Sequence, residues 1–304
     1  MKKLMLGNEA IARGAYEAGV TVAAAYPGTP STEITENIAK YKDIYAEWSP
    51  NEKIALEVTL GASIAGARAL CSMKHVGLNV AADPLFTASY TGVNGGLVLT
   101  VADDPGMHSS QNEQDSRYYA LAAKVPMLEP ANSQECLDYV KQAYEISERF
   151  DCPVIVRLTT RVAHSQSIVQ TGEKADYQLK NYLKDLTKYV MLPVNARSRH
   201  LAVEKRMAAL KEYSETVNLN SIEWGNKKIG VITSGIAYQY AKEALGEVSY
   251  LKIGMVHPLP ENLIASFASE VETLYIIEEL EPFLENQIRK NGLKVIGKEL
   301  LPVN

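Results

Sequence analysis

Cysteine is scarce in this chain: three in 304 residues, at Cys71, Cys136 and Cys152, and never as C-x-x-C. That spacing gives no reason to expect disulfides, a structural zinc site or an iron–sulfur cluster on these residues. A reducing cytoplasm is the expected home. Basic runs are missing too, and the net charge is -5, so nothing here would attract nucleic acid. The apolar stretches are broken by Gly, Pro or charge before they reach the length of a membrane span. The N-terminus meets Asn8-Glu9 too early for a signal peptide.

What the chain does have is an apolar content of 46% and room for two ordinary domains. The stretch Ser49 to Leu70 organises the rest. Ser49 reads as an N-cap, Pro50 as the first helical residue, and Glu52 stands three positions after the cap. Ile54, Val58, Gly61, Ala62 and Ala65 follow at helical spacing. Gly61, Ala62, Ala65, Gly66 and Ala67 carry little bulk, so another backbone or a flat ligand can come close. The plain reading of Ser49-Pro50-Asn51-Glu52 is a capping box, in which Glu52 only closes the helix start.

Before that helix, Asn8 to Gly19 reads as a helix and Val20 to Tyr26 as a buried strand. The loop Pro27-Gly28-Thr29-Pro30-Ser31-Thr32 leaves that strand's C-terminal end, where open α/β sheets bind ligands. After the helix, Ala69 to His75, Leu97 to Ala102, Pro126 to Pro130 and Cys152 to Leu158 read as strands. Ser133 is the expected cap of a helix running to Arg149. This alternation predicts an α/β fold with a parallel sheet covered on both faces over residues 1–170. Residues 171–226, polar and Tyr-rich, read as a linker with one packed helix from Arg197 to Ser214. Residues 227–304 read as a smaller α/β domain. Its expected strands are Lys228–Ile232, Leu251–Val256, Thr273–Glu278 and Leu293–Ile296. Asp103, Asp104 and His108 show no ligand spacing for a metal.

Three segments carry a family resemblance. Tyr26-Pro27-Gly28-Thr29-Pro30-Ser31, then Glu52 followed by Gly61-Ala62-Ser63-Ile64-Ala65-Gly66-Ala67-Arg68, resemble the pyrimidine-binding half of thiamine-diphosphate 2-oxoacid:ferredoxin oxidoreductases. Lys74-His75-Val76-Gly77-Leu78-Asn79 looks like the alpha subunit of the indolepyruvate members. The resemblance runs from Gly7 to Pro302. It implies a pyrimidine-binding domain followed by a transketolase C-terminal-like domain.

By that resemblance, Glu52 is the catalytic carboxylate that hydrogen-bonds the cofactor's aminopyrimidine. Pro27, Gly28, Thr29, His75, Val76 and Gly77 would line the cofactor. Thr29 and Arg117 would face the 2-oxoacid, Arg117 through its planar, permanently charged fork. Glu57, five residues after Glu52, would be structural. The reaction implied is oxidative decarboxylation of an arylpyruvate to an acyl-CoA, with CoA and ferredoxin as partners. The sequence has no Gly-Asp-Gly for a Mg²⁺–diphosphate motif and no cysteines for iron–sulfur clusters. Those groups would lie on missing or partner domains, this chain would hold half a pocket, and a homodimer is expected. Two alternatives stay open on the residues alone: a half-subunit of a non-oxidative thiamine enzyme, decarboxylase or transketolase-like, and a catalytically silent assembly protein of the same fold.

Overall fold

The computed structural model describes residues 1–300; Pro302, where the resemblance ends, and the last residues of the 227–304 segment lie outside them. In chain order the first half contains β1 (Lys2–Leu6), α1 (Gly7–Glu17), β2 (Val22–Ala25), α2 (Thr32–Ile38), β3 (Tyr45–Trp48), α3 (Glu52–Ile64), β4 (Ala69–Lys74), α4 (His75–Val80), α5 (Ala82–Thr91), β5 (Leu97–Asp103), α6 (Arg117–Ala123), β6 (Met127–Leu128), α7 (Ser133–Phe150), β7 (Val154–Thr159), α8 (Thr160–His164) and β8 (Gln166–Gln170). The second half contains α9 (Leu186–Tyr189), α10 (Pro193–Ser214), β9 (Ser221–Glu223), β10 (Asn226–Thr233), α11 (Gly235–Leu245), β11 (Val248–Lys252), β12 (Met255–His257), α12 (Glu261–Ser269), β13 (Thr273–Ile277) and α13 (Phe283–Lys290).

Seven strands form the main sheet, in the order β12-β6-β7-β5-β4-β2-β3. Every neighbouring pair is parallel except β12 with β6. β4, β5 and β7 are buried along their whole length, which is why they read as near-continuous apolar runs. Leu70, Val98, Val154, Val156 and Leu158 pack with α1 and α7 on one face. Cys71, Met73, Leu97, Leu99 and Val101, from the alternate positions, pack with α3, α4 and α5 on the other. The mainly parallel, two-faced sheet expected from the alternation of elements is present.

The strand order reverses between β2 and β4. The chain runs outward from β2 to β3, then returns across β2 to place β4 on its other side. The loops leaving β2 and β4 therefore part company at their carboxyl ends and open a crevice there.

Several local expectations fail for identifiable reasons. The N-cap of α3 is Asn51, not Ser49: its backbone is extended and its side chain accepts from the Ile54 N–H. Asn132, not Ser133, caps α7 in the same way. His75, expected to end a strand, instead starts α4, and α5, β1 and β3 are short elements without a clear sequence signal. Residues 171–226 hold the expected packed helix, α10, which buries Val203, Arg206 and Leu210, and also β9, which joins the second sheet; just before them β8 pairs antiparallel with β1. The expected strand from Leu251 to Val256 is two strands. β11 belongs to the smaller sheet, of order β13-β10-β11-β9, while β12 crosses to the edge of the main sheet. The break falls at Gly254, where a Cβ would sit 2.2 Å from the Leu219 carbonyl oxygen.

Candidate active site

Three loops reach the carboxyl end of the main sheet beside the crevice. The first follows β2. Thr32 Oγ1 accepts from the Gly28 N–H at 2.9 Å, Ser31 Oγ donates to the Gly28 carbonyl at 2.8 Å, and Asn8 Nδ2 donates to the Pro30 carbonyl at 2.8 Å. These bonds fix the loop while leaving Pro27 and Thr29 exposed and Gly28 half-buried. The second loop follows β3 and starts α3. The third is the start of α4, directly after β4.

Glu52 is the first residue of α3 and is 7% exposed. Because Asn51 caps the helix and Ser49 Oγ donates to Glu47 Oε1 at 3.0 Å, the capping box does not form. Among the described residues no other residue donates a hydrogen bond to the Glu52 carboxylate, and no cation pairs with it. Burial is the larger influence and raises its pKa; its own backbone N–H opposes the rise. Gly77, in α4, lies directly against it: a Cβ there would be 2.6 Å from Glu52 Oε1 and Cγ. The absence of a side chain at Gly77 is what gives the carboxylate its place. Glu57 is exposed on another side of the helix, as five residues at about 100° each require.

His75 and Val76 precede Gly77. Val76 is half-buried at the mouth. The His75 ring is turned inward: it is 1% exposed, with Nε2 on the Asn112 carbonyl at 3.1 Å. A carbonyl only accepts, so Nε2 carries the proton and the buried Nδ1 is left without a partner. Through this bond the imidazole ties the start of α4 to the 104–116 loop. That loop is also tied by Asp104, which accepts from Ser109 N, Ser110 Oγ and Thr160 Oγ1 at 2.7, 2.7 and 2.8 Å. Among the described residues no group of three or more His, Cys, Asp or Glu is arranged to hold a metal ion.

Arg117 is the clearest correction. It was expected to face a substrate carboxylate, but it is fully buried at the start of α6. Its Nε donates to both Asp115 oxygens at 2.9 and 3.0 Å, and its Nη1 to Glu278. Its Nη2 serves Asp115 and the carbonyls of Glu279 and Glu281. All three guanidinium nitrogens are engaged inside the protein. Burial works against the Asp115 carboxylate, but the Arg117 hydrogen bonds and the Arg157 and Arg117 charges outweigh it and hold its pKa below the ordinary range.

Sequence reasoning missed the network around this arginine. Arg157, in the middle of β7, donates to Asp103 Oδ2 at 2.7 Å and to Glu129 Oε1 at 2.5 Å, and Ser234 Oγ reaches Glu129 Oε2 at 3.1 Å. Gly235 has a φ of +53°, and a Cβ there would meet Glu129 Oε1 at 2.6 Å. The signal was present: an arginine inside Val154-Ile155-Val156-Arg157-Leu158 is a charge in a core strand and needs a buried partner.

An unpaired acid at a fold's switch point, beside a rigid Pro-Gly-Thr loop, is the setting in which the comparisons become informative. Residues 13–220 match the family model for pyruvate flavodoxin/ferredoxin oxidoreductase, thiamine diphosphate-binding, and the chain belongs to that family. Within it, the chain is 44% identical to indolepyruvate oxidoreductase subunit IorA of Archaeoglobus fulgidus, over 98% of this chain and 50% of that protein. It is also 44% identical to the same subunit of Pyrococcus horikoshii, over 99% of this chain and 50% of the relative. The chain thus spans about half the length of these curated relatives. Identity to 2-oxoglutarate synthase subunit KorA of Archaeoglobus fulgidus is 24%, over 99% of this chain and 96% of that one. In fold, a 2-oxoglutarate:ferredoxin oxidoreductase from Magnetococcus marinus matches 97% of this chain and 61% of its own, with a TM-score of 0.81 at 17% identity. A split-gene transketolase matches at 0.59 over 96% of this chain.

Proposed function

We propose that this chain is the pyrimidine-holding part of a thiamine-diphosphate-dependent 2-oxoacid:ferredoxin oxidoreductase acting on arylpyruvates such as indolepyruvate. The single observation that carries the reading is Glu52: a buried carboxylate with no protein partner, seated on the bare Cα of Gly77 at the switch point. The residues fit the cofactor's pyrimidine end. Glu52 would meet the ring nitrogen, Gly77 and Val76 would give it a flat wall, and Pro27, Gly28 and Thr29 would close the other side. When bound, thiamine diphosphate supplies a carbon nucleophile and an electron sink for the loss of CO₂ from a 2-oxoacid. The chain's own part is to position and to protonate. Burial raises the Glu52 pKa, so this acid keeps its proton at pH values where an ordinary glutamate has lost it, and can hold that proton toward the pyrimidine N1′.

Mg²⁺, the diphosphate, the iron–sulfur clusters, CoA and ferredoxin fall to a partner half of the kind that makes up the rest of the longer relatives. A cytoplasmic home fits the three buried, unpaired cysteines, and no described helix is long and apolar enough to cross a membrane. The outer side of α3, with Gly61 and Ala65 exposed, is the surface we assign to a second copy in a homodimer. Sedimentation that finds only monomer at high concentration would remove that assignment.

The test is cofactor C2 deuterium exchange by NMR in the enzyme assembled with its diphosphate-binding half. Glu52→Gln should slow exchange by at least about 10²-fold, the usual scale of general acid–base catalysis, and Glu57→Gln should exchange normally. Normal exchange in Glu52→Gln would overturn the reading.

A further inference from the structure

With Arg117 consumed inside the protein, the crevice needs another cation if it is to take a 2-oxoacid. Lys53 is paired with Asp83 at 2.9 Å on an exposed face of α3. Lys74 is different. It is the last residue of β4 and is only 8% exposed. Its stem runs across Gly28, where an added Cβ would lie 2.9 Å from Lys74 Cδ and 3.1 Å from Cγ. Gly28 is therefore bare for the same kind of reason as Gly77: a functional side chain occupies the space. Beyond Gly28 the Lys74 ammonium donates to the Ser109 carbonyl at 2.9 Å. An ammonium has three protons, and no other partner takes the remaining two among the described residues. Among the described residues no carboxylate lies within ion-pair distance of it. Asp104, the nearby acid, spends its oxygens on Ser109, Ser110 and Thr160. Burial is the larger influence on Lys74 and lowers its pKa, with the Asp104 charge opposing. A half-desolvated ammonium of this kind gains more from an incoming anion than a solvated one does.

We infer that Lys74 binds the carboxylate of the 2-oxoacid, taking the place that sequence reasoning gave to Arg117. This rests on the function proposed above. Thr29, exposed next to Gly28, would meet the same substrate from the opposite side of the Lys74 stem. Lys74 presents a point charge rather than a fork, so it constrains the carboxylate's distance more than its plane. That tolerance suits 2-oxoacids whose bulky side chains dictate the orientation instead.

The experiment compares Lys74→Met and Lys74→Arg with wild type, each assembled with the partner half. Indolepyruvate is the substrate and indole-3-acetaldehyde, which lacks the carboxylate, is the control ligand. In Lys74→Met the KM for indolepyruvate should rise about 10- to 100-fold, the worth of one charge-assisted hydrogen bond. Thiamine diphosphate affinity and aldehyde affinity should stay at wild-type values, and Lys74→Arg should recover most of the KM. A merely structural Lys74, tying the 104–116 loop, would weaken acid and aldehyde alike and would show faster hydrogen exchange in that loop. That outcome, or an unchanged KM, overturns the inference. If Lys74→Met fails to fold, Lys74→Gln keeps a donor for the Ser109 carbonyl without the charge, and the same KM criterion decides. A wild-type enzyme that turns over no arylpyruvate would instead sink the proposed function.

Discussion

Glu52 and the Arg117–Arg157 network are both charged groups taken out of water, yet they are built on opposite principles. The network is charge-paired: Arg117 meets Asp115 and Glu278, Arg157 meets Asp103 and Glu129, and Ser116 and Ser234 add hydrogen bonds, although the buried Arg157 Nη2 has no hydrogen-bond partner. It joins the main sheet to the segment after β13. Among the described residues no residue other than Glu52 itself bonds to its carboxylate, and the glycine beside it keeps the space open. A buried charge paired with opposite charges reports on architecture. A mostly buried acid without such a partner, at a crevice, reports on something the chain is built to meet.

The comparison can be broken most forcefully at Arg157. Replacing it with methionine keeps the volume and strands the Asp103 and Glu129 carboxylates. The expected loss is about 3–5 kcal/mol of unfolding free energy, read from urea denaturation. An unchanged midpoint would show that these carboxyls simply take up protons and that the network is not held by its arginines.

Gly77→Ala attacks the other region. Its new Cβ would fall 2.6 Å from Glu52 Oε1, so the carboxylate must swing aside. Alanine is the better helix former by about 0.5–1 kcal/mol, and the obstructing atoms are the flexible end of a side chain. The variant should therefore be at least as stable as wild type in thermal melts, while turnover of the assembled enzyme falls by as much as about 10²-fold through misplacement of the acid. Loss of stability with full turnover would reverse the assignment of Gly77.

The smallest effect sharpens the contrast through its sign. The Glu52 pKa is raised in the folded state, so its favourable contribution is complete below the ordinary carboxylate pKa and is lost as pH rises through the folded value. Glu52→Gln should therefore gain on wild type as pH increases, by no more than about 1 kcal/mol because solvent still reaches the group. Asp115 behaves in the opposite way. Its lowered pKa gives stability above the ordinary range that is lost as pH falls through the folded value. Melting temperature against pH for wild type and Glu52→Gln would separate the two; a difference that shrinks as pH rises would contradict the unpaired state of Glu52.

The sheet was legible in the sequence because β4, β5 and β7 are buried on both faces and must be continuously apolar. The short pieces were not. β3 is a four-residue strand of Tyr, Ala, Glu and Trp at the sheet's edge, and α4 and α5 meet at Ala81-Ala82, where no breaker marks the boundary. At the site, Glu52 was found through its neighbours in sequence, although the cap that seemed to compete for it belongs to Asn51. Arg117 misled because its chemistry suits a carboxylate and it does bind carboxylates, but those of Asp115 and Glu278. Asp115 stands two residues before it, while Glu278 reaches it only through the fold, which no local pattern records. Lys74 opens the Lys74–Asn79 segment, but only the tertiary position of Gly28 shows what its stem lies against.

The crossing of β12 to the main sheet sets an order on how the chain can be made. β6 is two residues long, and until Met255–His257 arrives it is the open border of a parallel sheet. During synthesis that border must wait for most of the chain to leave the ribosome, with unpaired backbone groups ready to recruit a strand from another molecule. A fragment ending at residue 226 would keep the border permanently, and would also lack Ser234 and Glu278 to cover the charges around Arg157 and Arg117. Such a fragment should aggregate rather than fold as a soluble pyrimidine-binding unit, and the nascent protein has cause to depend on chaperones until its second sheet is complete.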